Sequence, residues 1–321
     1  SFNMQSSRYI RQMQMPQVGE VGQQRLAQAK VLIVGAGGLA ASLLPILAAS
    51  GIGYIRLYDA DRVELSNLHR QILFRMSDLG QYKVLAAQQH IQQLNPEVNL
   101  EAVSQHIDSS NIDAALAGID IVVDAADRFA TTYLLSDACQ AHHIPLISAS
   151  VLSEQGYVGG FCGATAPSYR ALFPELPQQA ASCQTAGVLA STVATIASLQ
   201  AHMVLNVLLH GQKSALGQLL RLDLSTWHIN SMRFDQLPEP EEQLCWLDRA
   251  QLKSDDVILE LRDAHEIEVP IEGAHNVSLD DLPTEVTTQR VVCVCKSGIR
   301  AAKAAKVLKQ RGFPSVFILA D

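Results

Sequence analysis

The chain has no long run of basic residues, and its 24 Lys and Arg against 32 Asp and Glu leave a net charge of −8. Affinity for nucleic acid comes mostly from neutralising phosphates, so that partner class is not expected. No basic-then-apolar signal segment opens the sequence, and the three residues before Met4 read as a vector remnant. There is no disulfide framework either. The six cysteines, Cys139, Cys162, Cys183, Cys245, Cys293 and Cys295, are scattered through 321 residues, unlike those of a small secreted scaffold. A reducing, cytoplasmic setting is expected. Repeats and low-complexity tracts are also missing. What is present is 48% hydrophobic and 17% charged sequence, enough for a sizeable core and two domains. Residues 186–211 form an apolar run of membrane-spanning length. Gln200, His202 and Asn206 interrupt it, so it is predicted as a helix packed inside a domain and not as a membrane span.

Periodicity divides the rest. Helix is predicted over 23–30, 39–50, 84–94 and 134–142, and strand over 31–34, 54–58, 120–124 and 145–148. Strands alternating with helices imply an α/β fold, a doubly wound and mostly parallel sheet covered on both faces. Residues 159–177 are rich in Gly, Pro and aromatics and read as a long ordered loop. Antiparallel strands are expected at 219–224 and 227–234. The Pro- and Glu-rich stretch 237–243 reads as a linker. Strands at 257–261, 291–294 and 316–319 and a helix at 301–310 then make a second, small α/β unit. The expected division is a first domain over 1–236, a linker over 237–244 and a second domain over 245–321.

The first strand runs into Gly35-Ala-Gly-Gly-Leu-Ala40, which fits G-x-G-x-x-G/A. Gly35 permits the tight turn, Gly37 lets backbone approach phosphate, and the helix opening at Gly38 faces the anion. Asp59, at the end of the second strand, is placed for a ribose hydroxyl. Such Rossmann-like loops usually bind NAD or FAD. The block Ser66-Asn-Leu-His-Arg-Gln71, with Lys83 behind it, does not suit hydride transfer. Asn67 can donate to a phosphate oxygen, Arg70 can fork onto phosphate, and Lys83 adds a compact charge. Asp127, ending the third strand, can hold Mg²⁺ together with phosphates. A triphosphate attacked at its α-phosphate fits this set better than a dinucleotide.

These stretches, with Arg8-Tyr-Ile-Arg-Gln12, Gly80-Gln-Tyr-Lys83, Asp124-Ala-Ala-Asp127 and Cys183-Gln-Thr-Ala-Gly187, resemble the MoeB/ThiF family over about residues 8–235. Those proteins are bacterial relatives of the ubiquitin-activating enzymes. The resemblance implies adenylation of the C-terminal glycine of a small ubiquitin-fold sulfur carrier by ATP and Mg²⁺, in a homodimer. It assigns ribose to Asp59, triphosphate to Asn67, Arg70 and Lys83 within the Gly35–Gly37–Gly38 and Gln71 surroundings, and the metal to Asp127. Arg11 resembles an arginine finger reaching into the partner subunit, and Cys183 a cysteine that handles the activated carrier. Two departures stand out. Family members often bind structural zinc through two CxxC pairs; here Ser168 and Ala171 replace the first pair and no second appears near 237–246, so no zinc is expected. Arg128 stands where the family commonly has Asn.

In the second domain, Val291-Val-Cys-Val-Cys-Lys-Ser-Gly-Ile-Arg300 reads as a strand, a cysteine-led loop and a helix. Loop amides there favour an anion, and Lys296 and Arg300 are expected to favour the Cys295 thiolate. Cys293 alternates into the strand and reads as core. The Cys-x4-Arg loop and Glu272-Gly-Ala-His-Asn276 resemble rhodanese sulfurtransferases over roughly 245–321, whose members continue with a Gly- and Trp-containing segment. Together the resemblances imply adenylation followed by sulfur transfer from a Cys295 persulfide, as in MoeB–rhodanese fusions serving molybdopterin synthesis. Four other readings stay open: a carrier for thiamine or tRNA thiolation, adenylation of a peptide carboxylate, an NAD-dependent oxidoreductase, and a non-catalytic carrier-binding scaffold.

Overall fold

The computed structural model describes residues 8–176, 186–241 and 243–321. The first domain is built on a sheet with strands β1 (Lys30–Val34), β2 (Tyr54–Tyr58), β3 (Asn99–Val103), β4 (Ile121–Asp124), β5 (Pro145–Leu152), β6 (Gln155–Cys162), β7 (Gln218–Asp223) and β8 (His228–Arg233). Their spatial order is β3-β2-β1-β4-β5-β6-β7-β8. The first five pair in parallel, and β5 to β8 pair antiparallel. The apolar runs of β1 and β4 are buried because helices cover both faces. The helices Gly38–Ala49, Lys83–Leu94 and Ala190–His210 close one core, and Phe129–His142 with Tyr169–Leu172 closes the other. The chain leaves β1 toward β2 and β3, then returns to place β4 on the other side of β1. That reversal opens a crevice at the carboxyl ends of β1 and β4, where ligands sit in open α/β sheets.

Ala190–His210 is long and apolar enough to cross a membrane by length and composition alone. It packs against Gly38–Ala49, β5 and β6, with Val193, Ile196, Ala197, Ala201 and Val204 buried, as expected for a core helix.

Within the stretch expected as a long loop, 159–162 finish strand β6 and Tyr169–Leu172 form a short helix, while 163–168 and 173–176 are loop as expected. The glycines of β6 signal a loop but answer to close packing. A Cβ on Gly156 would sit 2.0 Å from Ile196 Cδ1, and one on Gly160 would sit 2.5 Å from the Ala215 carbonyl oxygen. Strand β3, which has alternating polar residues, was not foreseen.

The second domain holds strands β9 (Val257–Glu260), β10 (His275–Asn276), β11 (Val291–Cys295) and β12 (Val316–Ala320). All are parallel, in the order β10-β9-β11-β12. The helix Ile299–Gln310 lies on β11 and β12 and buries its alanine face. Cys245 and Leu247 extend the sheet by exchanging backbone hydrogen bonds with Ile318.

Candidate functional site

Gly35 turns at φ +100°, and a Cβ there would lie 2.6 Å from the Ala125 carbonyl oxygen. Only glycine allows the loop this close to the end of β4. Gly37 caps the helix Gly38–Ala49 with no side chain over its first amides. The amides at this helix start are available to an anion. Asp59 ends β2, nearly buried, and its two carboxylate oxygens accept from the Ala36 and Asp61 amides at 2.8 and 2.7 Å. Its first role is to tie the glycine loop to β2, a structural use that sequence spacing did not reveal.

The polar block sits over this loop. Asn67 Oδ1 accepts from the Glu64 amide at 2.9 Å and fixes the turn. The Arg70 stem runs along Gly38, with Cγ 3.5 Å from where a Cβ would stand. Its guanidinium contacts the Ser66 carbonyl oxygen at 3.2 Å and His69 Nε2 at 2.8 Å, neither of them an acid. Gln71 is buried beside Gly37, and its Oε1 has no hydrogen-bond partner among the described residues. Lys83 is 6% exposed at the first position of Lys83–Leu94, and no carboxylate pairs with its ammonium among the described residues. A buried lysine at the positive end of a helix dipole is costly without an anion. The orphaned Gln71 amide, the glycine cradle and the unpaired Lys83 therefore fit a phosphate-bearing ligand.

Asp127 is exposed just past β4. Asp124, three residues earlier, is fully buried, and its carboxyl accepts from Thr132 Oγ1 at 2.6 Å, Ser148 Oγ at 2.9 Å and the Ala126 amide at 3.1 Å. Burial pushes its pKa up from 3.8 to about 6 against those bonds. Asp124 thus fixes the turn that presents Asp127. Its apolar strand setting drew attention to the strand and not to this buried acid.

In the second domain, Cys295 ends β11 with its sulfur buried, accepting from the Gly298 and Ala301 amides at 3.0 and 3.3 Å. Gly298 has φ +90°, which the loop needs to aim its amide inward. Arg300 was expected to lend charge to the sulfur. It is held by Glu266 at 2.7 Å and the Leu261 carbonyl oxygen at 2.9 Å and still interacts by charge with Cys295, while backbone amides make the direct contacts to the sulfur. Cys293 is core as expected, its thiol pushed up to about 12 by burial.

Residues 9–247 match the ThiF family, and residues 245–321 match the rhodanese-like domain. The chain belongs to the ThiF family. A sulfur carrier protein adenylyltransferase of Thermus thermophilus is 44% identical over 223 residues, covering 67% of this chain and 82% of that protein. An "adenylyltransferase and sulfurtransferase MOCS3" of Anopheles gambiae is 39% identical, and the match covers 69% of this chain and 51% of that one, about half its length. The crystal structure of E. coli MccB superposes with a TM-score of 0.64 at 22% identity, over 76% of this chain and 75% of that one, a likeness of fold. The chain is an adenylyltransferase followed by a rhodanese-like sulfurtransferase domain.

Arg11 and Arg128, which the ThiF resemblance singled out, are not brought to the glycine loop. Arg11 is exposed on the helix Ile10–Met13, whose neighbours Tyr9 and Gln12 bond to Asn95 and the Ser50 carbonyl oxygen, at the amino ends of β2 and β3. Cys183 lies outside the described residues. Arg128 donates at 3.1 Å to the Ala320 carbonyl oxygen of the rhodanese-like domain. Where the ThiF zinc pairs would fall, Ser168 caps Tyr169–Leu172 and donates from its amide and hydroxyl to Glu239 at 2.8 and 2.5 Å. Gln140 donates to the same carboxylate at 3.3 Å. Among the described residues, no group of three His, Cys, Asp or Glu is placed to hold a metal.

Proposed function

We propose that this chain adenylates the C-terminal glycine of a small ubiquitin-fold sulfur carrier and then loads it with sulfur for molybdopterin synthesis. The observation that carries the nucleotide half is Lys83, buried at a helix start with no carboxylate paired to its ammonium among the described residues. ATP lies over the glycine cradle, with Asn67, Arg70, Gln71 and Lys83 on its phosphates and Asp59 toward the ribose. Mg²⁺, held through Asp127 and the phosphates, supplies charge neutralisation. The carrier carboxylate is already ionised and needs no base. Its oxygen bonds to the α-phosphorus, the bond to the β-phosphate oxygen breaks, and pyrophosphate leaves. Positioning and charge stabilisation are the protein's contributions.

Cys295 completes the reading. As a persulfide, its outer sulfur attacks the acyl carbon and AMP departs with the C–O electron pair. A thiol then attacks the Cys295 sulfur of the new S–S bond, the carrier thiocarboxylate leaves, and a second thiol reduces the mixed disulfide. The Gly298 and Ala301 amides that face the sulfur are suited to hold negative charge there. Free Cys139, Cys162, Cys245, Cys293 and Cys295 suit a reducing cytoplasm. Hydrogen bonds of Cys245 and Leu247 to Ile318 support a second domain starting at 245, after a first domain over 1–236 and a linker over 237–244.

Arg11 acts in trans in a homodimer. A groove of about 520 Å³, lined by apolar Pro45, Ile46 and Leu73 and by polar Arg75, His90 and Gln93, supports this, and Arg8 donates to the carbonyl oxygen of Leu94, which also lines it. ATP–pyrophosphate exchange with carriers ending in Gly-Gly tests the whole reading. Nucleotide binding without exchange for any such carrier would refute it.

A further inference from the structure

Arg128 sits next to the metal acid, yet its observed bond crosses to the other domain. It caps Phe129–His142, the helix that begins just after Asp127. Its Nη2 donates at 3.1 Å to the carbonyl oxygen of Ala320. Ala320 is the register partner of Cys295 across β11 and β12. One strand spacing, about 4.8 Å, therefore separates the residue that Arg128 holds from the sulfur-bearing residue. The Asp321 amide also donates to the Cys295 carbonyl oxygen at 3.0 Å, so movement of this strand end is felt at Cys295 directly.

Two further contacts act at the same end of the sheet. Tyr133, about one and a half turns beyond Arg128 on the helix it caps, stacks on Trp246 with centroids 5.8 Å apart and planes 19° apart. Trp246 in turn lies against Gly298 of the cysteine loop, where a Cβ would meet its ring at 2.5 Å. Ser109, on the segment following β3, donates from its amide and hydroxyl to Asp248 at 3.0 and 2.9 Å. These contacts come from segments that follow β3 and β4. That is the end of the large sheet that carries Gly35, Asp59 and Asp127.

We propose that Arg128 is a positioning residue that holds the Cys295 loop beside the nucleotide site, so that one carrier tail is activated and sulfurated on one chain. The proposal rests on the two-step reading above and adds a geometric coupling to it. Arg128 touches neither nucleotide nor sulfur in this role. It acts through Ala320, and its side chain suits the task because several donors on one rigid plane can hold a carbonyl oxygen at a domain junction.

The test compares the parent chain, Arg128→Ala and Arg128→Lys in three assays with a Gly-Gly-ending carrier. Pyrophosphate exchange reads activation, thiosulfate–cyanide turnover reads Cys295 itself, and mass spectrometry of carrier thiocarboxylate reads the coupled reaction. Misplacement of reacting groups by about 1 Å can cost on the order of 10²-fold. Arg128→Ala should therefore lower kcat of the coupled reaction roughly 10- to 100-fold, with little change in carrier KM. The other two activities should stay at the parent level, and Arg128→Lys should restore part of the coupled rate by supplying one donor. An unchanged coupled rate, or an equal loss in all three assays, overturns the proposal. A second arm mixes Lys83→Ala chains with Cys295→Ala chains, each lacking one half-reaction. Coupled product well below the parent supports delivery on one chain, and restoration to the parent level overturns it. A parent chain that fails pyrophosphate exchange overturns the underlying function and the proposal with it. Parent exchange with an insensitive Arg128→Ala overturns the proposal alone.

Discussion

Replacing Asp124 by Asn should change how stability depends on pH. Asp124 is fully buried at the end of β4, and its carboxyl titrates near 6 instead of 3.8 because burial outweighs its bonds to Thr132, Ser148 and Ala126. Between those values the folded chain holds a proton that the unfolded chain has lost. Stability then falls as pH rises through that window and is level above it. At 1.36 kcal/mol per pH unit, the span from 3.8 to about 6 amounts to about 3 kcal/mol. Asn keeps the shape and cannot ionise. The stability difference, Asp124→Asn minus parent, should therefore grow in the variant's favour by about 2.4 kcal/mol from pH 4 to pH 7, most of that span. Urea unfolding followed by far-UV circular dichroism at several pH values measures it, and other carboxylates cancel in the difference. A difference that stays flat across this range would refute the account of Asp124 as a buried acid.

Other expectations are as specific. Lys83→Met should raise the melting temperature of the free chain, because an unpaired buried charge is removed, and should abolish the upward shift that ATP gives the parent; a variant still stabilised by ATP would remove Lys83 from the site. Gly35→Ala should destabilise the first domain by about 1–3 kcal/mol, since it forces a side chain into an unfavourable φ beside Ala125; equal unfolding midpoints would contradict that crowding. Cys295→Ala should abolish thiosulfate–cyanide turnover, whereas Cys293→Ala should retain it per folded molecule, because the Cys293 thiol is core and stays protonated. Parent-level turnover in Cys295→Ala would move the sulfur site elsewhere.

The glycine turn between β1 and the helix Gly38–Ala49 was legible because such a turn needs particular residue types at fixed offsets from a strand end, and Arg70 and Gln71 do lie against it. The parallel strands were legible as short apolar runs between helices. Strand β6 was not, since its glycines serve the packing of Ile196 and the Ala215 backbone, and a sequence does not show which neighbour will press on a glycine. Arg300 was legible only in part: its nearness to Cys295 along the chain gives the charge interaction but not Glu266, which comes from another loop and holds its guanidinium. Asp124 and Arg128 were similarly hidden, one by long-range burial and the other by a contact between domains.

Glu239 changes the meaning of the linker. Ser168 and Gln140 hold its carboxylate on the first domain, while Cys245 is stitched to Ile318 of the second. Only residues 240–244 lie between the two anchors, and the six Cα steps from Glu239 to Cys245 reach at most about 22 Å when fully extended. With both anchors in place, the Cys295 loop is on a short leash: it can pivot about the first domain but cannot sweep around it. A carrier waiting more than a small protein radius away would be out of its reach, so substrate must come to the sulfur and dwell there.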